Sequence, residues 1–156
     1  ARVGAVSRLR VMDFKFDGTQ FALRFAEKGG KSRLIPVRAD LERIVTEYLA
    51  VSTNSEASKE EPIFRTASGR SGRLTEGAMS AIDMCRMVKR RLTKAGIRTG
   101  ASPHSFRACT ATDLLLHGTE LEAVQHLLGH SDSRVTKLYD RRQRQITRNI
   151  VERISI

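Results

Sequence analysis

The sequence lacks any long apolar run. Hydrophobic residues make up 40% of its 156 residues, which fits a globular protein, but no run approaches the roughly 18 residues that a membrane-spanning helix needs. The first residues also lack the pattern of a signal peptide. We therefore expect neither a membrane span nor a secretory signal.

Cysteine is scarce as well. Cys85 and Cys109 are the two cysteines of the chain. They do not form a CxxC pair, so neither a zinc site nor a disulfide framework is indicated. Both fall in helical patterns, and we expect them to be buried thiols of a protein in the reducing cytoplasm.

The histidines do not form a metal-binding motif. His126 and His130 are four residues apart, but Leu127 stands where an H-E-x-x-H motif has its glutamate, and Gly129 interrupts the helix. We therefore predict no metal site.

Acidic residues are few relative to basic ones. Lys and Arg number 28 and Asp and Glu 17, which gives a net charge of +11 and an isoelectric point near 10.6. Such a chain suits a polyanion, because each phosphate contact by Lys or Arg releases condensed counterions. The charge favours a nucleic-acid partner; the alternative is a basic protein without one.

The order of apolar residues and turn signals predicts an α+β fold. It is mostly helical, with a small three-stranded antiparallel sheet near the N-terminus. Three short segments with strand patterns are separated by turn signals at Asp17-Gly18 and at Gly29-Gly30, which is the spacing of hairpin turns. Further helices follow, including a long one predicted over 76–95 behind a capping Thr75, and one that starts at Ser102-Pro103.

Four polar residues of the C-terminal third are candidates for a catalytic or phosphate-binding role: His104, Arg107, His130 and Tyr139. His104 and Arg107 are three residues apart in the first turn of a predicted helix, where free N–H groups and the helix dipole favour an anion. An isolated pair of this kind is more often an ordinary surface feature. His130 follows Gly129 at a helix break, so its ring can face a cleft.

Tyr139 is one of two tyrosines, and the ordinary role of a helical tyrosine is packing. A phenol is a poor nucleophile at neutral pH unless positive charge or a base assists it. Here Arg134, Lys137 and Arg141 lie close in sequence. Tyr139 is therefore a candidate nucleophile in a cationic stretch.

Lys28 lies in the second predicted hairpin turn, beside Lys31 and Arg33. A solvated lysine is normal at such a turn. The functional alternative is a lysine that reaches a DNA groove and donates a proton.

Together these residues resemble the catalytic domain of tyrosine recombinases, the phage-integrase family. The His130-to-Tyr139 spacing is the family's usual one, and the resemblance spans nearly the whole chain. The set of motifs is specific, although each alone is not. The matching motifs are S-P-H-S-F-R at 102–107, L-L-G-H-S at 127–131, T-x-x-Y at 136–139, K-G-G-K-S-R-L-I-P-V at 28–37 and R-V-G-A-V-S-R-L-R at 2–10.

The resemblance implies a site-specific DNA recombinase that works without a metal or nucleotide cofactor. Arg2 and Arg107 clamp the scissile phosphate, and His130 donates a hydrogen bond to it. Tyr139 forms a covalent 3′-phosphotyrosyl link with the DNA.

The resemblance also implies the proton transfers and the DNA contacts. In this resemblance Lys28 is the general acid that protonates the departing 5′-oxygen to a hydroxyl, and His104 assists proton transfer at the nucleophile. The remaining contacts with double-stranded DNA come from basic residues beside these groups, namely Lys31, Arg33, Arg134 and Arg141.

Two positions depart from the family pattern. Ala5 stands where an acidic residue usually follows the first arginine, and Glu27 replaces the glycine before the hairpin lysine. The resemblance further implies that residues 1–156 are an N-terminally truncated catalytic domain without the DNA-clamping domain and the first helices. We expect weak, salt-sensitive DNA binding and little cleavage from such a fragment.

The last segment carries an apolar stripe at Ile146, Ile150 and Ile154. The stripe packs on its own domain or, as the resemblance implies, docks on a neighbouring protomer to form a tetramer on DNA. Two other functions stay open at this point: a non-catalytic helix-turn-helix module over 120–139, and a type IB topoisomerase with similar chemistry.

Overall fold

A computed structural model describes residues 1–26, 30, 32–52, 59–97, 100–129 and 136–140. The chain divides into two compact units, Ala1–Phe106 and Arg107–Ile156. The helices are Val3–Val6 (α1), Ala39–Ser52 (α2), Ala81–Lys94 (α3), Pro103–Leu116 (α4) and Leu121–Leu128 (α5), with a 3-10 turn at Val11–Asp13. The strands are Phe14–Phe16 (β1), Phe21–Ala26 (β2), Ser32–Pro36 (β3), Arg65–Ala67 (β4) and Leu74–Ala78 (β5).

The predicted three-stranded sheet is confirmed. Its strands run antiparallel in the order β1-β2-β3, with Phe16 opposite Phe21 and Ala26 opposite Ser32. The first turn is held by Asp17, whose Oδ1 accepts bonds from the backbone N–H groups of Thr19 at 2.9 Å and Gln20 at 3.0 Å. These bonds, that from Gln20 foremost, hold the pKa of Asp17 below its usual value of 3.8.

The core of the first unit lies under this sheet. Leu9, Phe25 and Ile63 are buried together. Ile63 reaches the cluster because residues 59–63 are hydrogen-bonded to residues 9–12, with the Ile63 N–H donating to the Leu9 carbonyl at 3.0 Å and the Val11 N–H to the Glu61 carbonyl at 2.9 Å. The sheet is thereby tied to the segment that follows α1.

A second, two-stranded sheet was not predicted. β4 and β5 pair antiparallel with a register shift, and Gly69 and Gly72 adopt positive φ at the tip, where glycine has no steric penalty. The prediction of a helix from residue 76 was therefore wrong at its start, since β5 extends to Ala78.

The α3 helix begins instead after Ser80, which caps it. The Ser80 hydroxyl accepts the Asp83 N–H at 3.1 Å and donates to the Asp83 carboxylate at 2.7 Å. This reciprocal pair satisfies a first-turn donor that otherwise lacks a partner within the helix.

In the second unit, α4 and α5 pack through one apolar cluster: Ala111, Leu115, Val124 and Leu128, all buried. The left-handed Gly129, with φ 64°, ends α5, and glycine suits this position because a Cβ is disfavoured there. The cluster gives this unit a core of its own.

The two cysteines are free. Cys85 is half-buried and Cys109 is exposed, so the prediction that both are buried was wrong for Cys109. The buried stripe of α4 runs through Arg107, Ala111 and Leu115, and Cys109 lies off that stripe. In the described part of the chain, no helix combines the length and apolarity that crossing a bilayer requires.

Candidate active site

The α4 helix carries two of the predicted site residues, and its start is built locally. Pro103 is its first residue, a position where the missing N–H of proline costs nothing. The Ser105 hydroxyl accepts the Ser102 N–H at 3.1 Å, and the Ser105 N–H donates to the Ser102 carbonyl at 2.9 Å. The turn that bears His104 is therefore well defined.

His104 is exposed in this first turn. Arg107 follows one turn later on the same helix, and residues three apart on a helix are neighbours on its surface. The helix therefore carries an exposed imidazole and, one turn later, a buried guanidinium.

Arg107 is buried, with 6% of its surface exposed. Its Nη2 donates a hydrogen bond to the Leu128 carbonyl, in the last turn of α5. The C-terminal end of a helix carries partial negative charge and favours a cation. The guanidinium is thereby fixed at the C-terminal end of α5.

Tyr139 lies in a short turn in which its own N–H donates to the Thr136 carbonyl at 3.0 Å. Thr136 is fully buried, whereas Tyr139 is half-buried and packs against the α4–α5 cluster. The Thr112 hydroxyl of α4 donates to the Tyr139 carbonyl at 3.4 Å. In the second unit, Arg107 lies on α4 and bonds to α5, and Tyr139 contacts the same two helices.

Arg2 and Arg33 belong to the first unit. Arg2 is exposed at the N-cap of α1, where its carbonyl accepts the N–H groups of Ala5 at 2.9 Å and Val6 at 3.1 Å. Arg33 is half-buried in β3, opposite Phe25. The isoleucine stripe of the last segment lies outside the described residues. So do the other predicted site residues, which are Lys28, Lys31, His130, Arg134 and Arg141.

The first unit also contains a cleft of about 850 Å³, lined by charged side chains and by the strand ends at Ala26 and Ser32. Two of its arginines are engaged by acids. Arg24 meets Asp13 at 2.8 Å, and Arg10 lies 3.4 Å from Glu60. The Asp13 side chain is only 14% exposed and also accepts the Arg10 N–H at 3.0 Å, so it braces the junction between α1 and the sheet.

Thr112 contacts the candidate nucleophile Tyr139, and the sequence did not indicate this contact. A threonine inside a helix carries no signal for a long-range partner, because its usual hydrogen bond goes to its own helix. Its partner becomes visible only once residues 112 and 139 are seen together. Thr136, by contrast, already belonged to the T-x-x-Y motif.

Comparison with known proteins identifies the family. The model described as "Phage integrase family" matches residues 1–145, and the chain belongs to that family. Tyrosine recombinase XerD of Rhizobium meliloti (strain 1021) is 37% identical over 113 residues, which cover 72% of this chain and 34% of the relative. Tyrosine recombinase XerC of the same organism is 36% identical over 124 residues, covering 80% of this chain and 36% of the relative. The chain thus spans about a third of the length of these two relatives.

Solved structures confirm the fold. The crystal structure of XerA recombinase has a TM-score of 0.70 at 22% identity and covers 92% of this chain and 49% of its own. XerH site-specific recombinase, in a pre-cleavage complex with its difH substrate, has a TM-score of 0.68 at 21% identity and covers 91% of this chain and 41% of its own. At identities this low, the structural likeness supports the α+β catalytic-domain fold and nothing more specific.

Proposed function

We propose that this protein is a site-specific recombinase that cuts and rejoins double-stranded DNA through a 3′-phosphotyrosyl intermediate. The observation that carries the proposal is the joint support of Arg107 and Tyr139 by α4 and α5 within a chain of the phage-integrase family. Family membership favours this function over the helix-turn-helix module and the topoisomerase.

The proposed reaction begins at the scissile phosphate. Arg2 and Arg107 bind its non-bridging oxygens, a task for which the forked guanidinium is better suited than lysine. His130 donates a hydrogen bond to the same group. Phosphoryl transfer depends mainly on positioning and charge neutralisation, and two arginines with two histidines supply both without a metal.

In the cleavage step one bond to phosphorus replaces another. The Tyr139 oxygen forms a bond to phosphorus and loses its proton with the assistance of His104, while the bond from phosphorus to the 5′-oxygen breaks. Lys28 protonates the departing 5′-oxygen. The 5′-hydroxyl of a second strand then attacks the phosphotyrosine and gives its proton to Lys28. The bond from phosphorus to the Tyr139 oxygen breaks, and the phenol regains its proton with the assistance of His104. One phosphodiester replaces another, so strands are exchanged without an external source of energy.

The DNA contacts, the assembly and the cellular location are further parts of the proposal. We place Lys31, Arg33, Arg134 and Arg141 on the DNA, in keeping with the net charge of +11. From the family we propose a tetramer on DNA that is joined through the C-terminal segment. We also propose that residues 1–156 are the catalytic domain of a longer protein. The reducing cytoplasm is proposed from the two free thiols.

A covalent-adduct assay tests the function. The full-length protein is incubated with a pool of nicked duplexes of randomised sequence, and adducts are resolved on a denaturing gel and sequenced. We expect an adduct that persists in EDTA and is lost in Tyr139→Phe. The matched control is Tyr48→Phe, the other tyrosine, which packs near Phe64 on the first unit and retains the adduct. An adduct that survives Tyr139→Phe, or none across the whole pool, refutes the mechanism.

A further inference from the structure

The segment that bears Tyr139 touches α4 in two ways. The tyrosine side chain packs against the α4–α5 cluster, and the tyrosine backbone carbonyl accepts a hydrogen bond from Thr112. Packing restrains the ring, and the Tyr139 N–H bonds within its own turn to the Thr136 carbonyl at 3.0 Å. The Thr112 contact adds a restraint from a different element, α4, to the Tyr139 backbone.

The same helix holds Arg107, five residues before Thr112. At about 1.5 Å of rise per residue, the two positions are separated by roughly 7.5 Å along the helix axis. Because a helix is stiff over this length, the backbone positions of Arg107 and Thr112 keep a constant separation. One rigid element therefore sets the distance between a phosphate-binding group and the nucleophile's backbone.

We propose that Thr112 is a positioning residue for the Tyr139 nucleophile. Its hydroxyl holds the Tyr139 carbonyl so that the phenol attacks in line with the bond that breaks. The inference rests on the proposed function, since it requires Tyr139 to act on a phosphate. In this proposal Thr112 acts through the Tyr139 backbone and takes no part in the bond changes.

The size of the expected effect follows from the contact. Misplacement of a reacting group by about 1 Å can slow a reaction by roughly a hundredfold. The Thr112 contact, at 3.4 Å, is long for a hydroxyl hydrogen bond, and ring packing continues to restrain Tyr139 without it. We therefore expect a loss of about tenfold, which corresponds to about 1.4 kcal/mol in the barrier.

The test compares Thr112→Val, which removes the hydroxyl at nearly constant volume, with Thr112→Ser, which retains it. Thr110→Val is the matched control, because Thr110 is an exposed threonine on the same helix. In the full-length protein, each variant is assayed for affinity for a DNA site selected in the adduct assay, for the fraction of active molecules, and for the first-order rate of adduct formation at saturating protein.

We expect Thr112→Val to lower the rate constant about tenfold, with affinity and active fraction unchanged, and we expect Thr112→Ser and Thr110→Val to keep the wild-type rate. A role in folding alone predicts the opposite pattern, in which the active fraction falls and the rate constant does not. That pattern, or an equal rate for valine and wild type, overturns the inference while the wild-type adduct leaves the proposed function intact.

Amide hydrogen exchange supplies a second readout that does not depend on activity. The N–H groups of Tyr139 and Asp140 are bonded within the turn, to the Thr136 carbonyl at 3.0 Å and the Lys137 carbonyl at 3.1 Å. We expect both amides to exchange faster in Thr112→Val and at the wild-type rate in Thr112→Ser. Unchanged exchange in the valine variant also overturns the inference.

Discussion

The packing of the α4–α5 cluster predicts how much the substitution Leu115→Ala lowers the free energy of unfolding. Leu115 is fully buried and packs with Ala111, Val124 and Leu128, so truncation removes buried methyl groups and leaves a cavity. Such changes cost about 2–5 kcal/mol. We expect roughly 3 kcal/mol, because the neighbouring helices are short and relax partially into the space. At about 1.4 kcal/mol per factor of ten, the folded-to-unfolded ratio falls by roughly a hundredfold.

Leu116→Ala is the matched control, since it makes the same change at the next position of α4. Leu116 is 57% exposed, and substitutions at such positions usually change stability by about 0.5 kcal/mol or less. Urea unfolding followed by far-UV circular dichroism measures both variants. The chain has no tryptophan, so the combined fluorescence of Tyr48 and Tyr139 follows unfolding without interference from indole.

We expect the midpoint to fall strongly for Leu115→Ala and hardly at all for Leu116→Ala, with the same dependence on urea. Equal midpoint shifts, or a loss below about 1 kcal/mol for Leu115→Ala, contradict the assignment of the core. Because Tyr139 packs against this cluster, the destabilised variant also forms adduct with a smaller active fraction.

Two further predictions concern the first unit. Ser80→Ala removes the cap of α3 and lowers stability by about 1 kcal/mol, measured by thermal unfolding; an unchanged midpoint contradicts the cap. Asp17 titrates below 3.8 when followed by NMR, because the N–H groups of Gln20 and Thr19 stabilise its carboxylate. Its contribution is present above the unfolded pKa and is lost as the pH falls through the lower folded pKa. A titration at or above 3.8 contradicts the turn geometry.

Local signals in the sequence account for the first sheet and for the candidate residues on α4. The β1–β2 turn was predictable from Asp17-Gly18 because the aspartate bonds its own turn and the glycine accepts a φ of 107°. The start of α4 was predictable from Ser102-Pro103 for a similar reason. In both cases, all the interacting groups lie within a few residues.

The hairpin β4–β5 shows where local reading failed. Thr75 and the residues after it suit a capped helix, and the sequence from 75 to 95 predicted one. The strand forms because β5 pairs with β4 across a tip containing Gly69 and Gly72, and pairing energy between strands overrides local propensity. The true cap at Ser80 was present in the sequence but was hidden by the competing one.

The sequence by itself determined three things: the strongly basic character of the chain, the family to which it belongs, and the order of the candidate site residues. That order is His104, Arg107, His130 and Tyr139. Side-chain types and their spacing along the chain are enough for such a conclusion. Tertiary structure alone decided that the Arg107 guanidinium is buried against the Leu128 carbonyl and that Thr112 holds the backbone of Tyr139. These contacts join residues 21 and 27 positions apart, and they exist because apolar burial between α4 and α5 brings distant polar groups to one place.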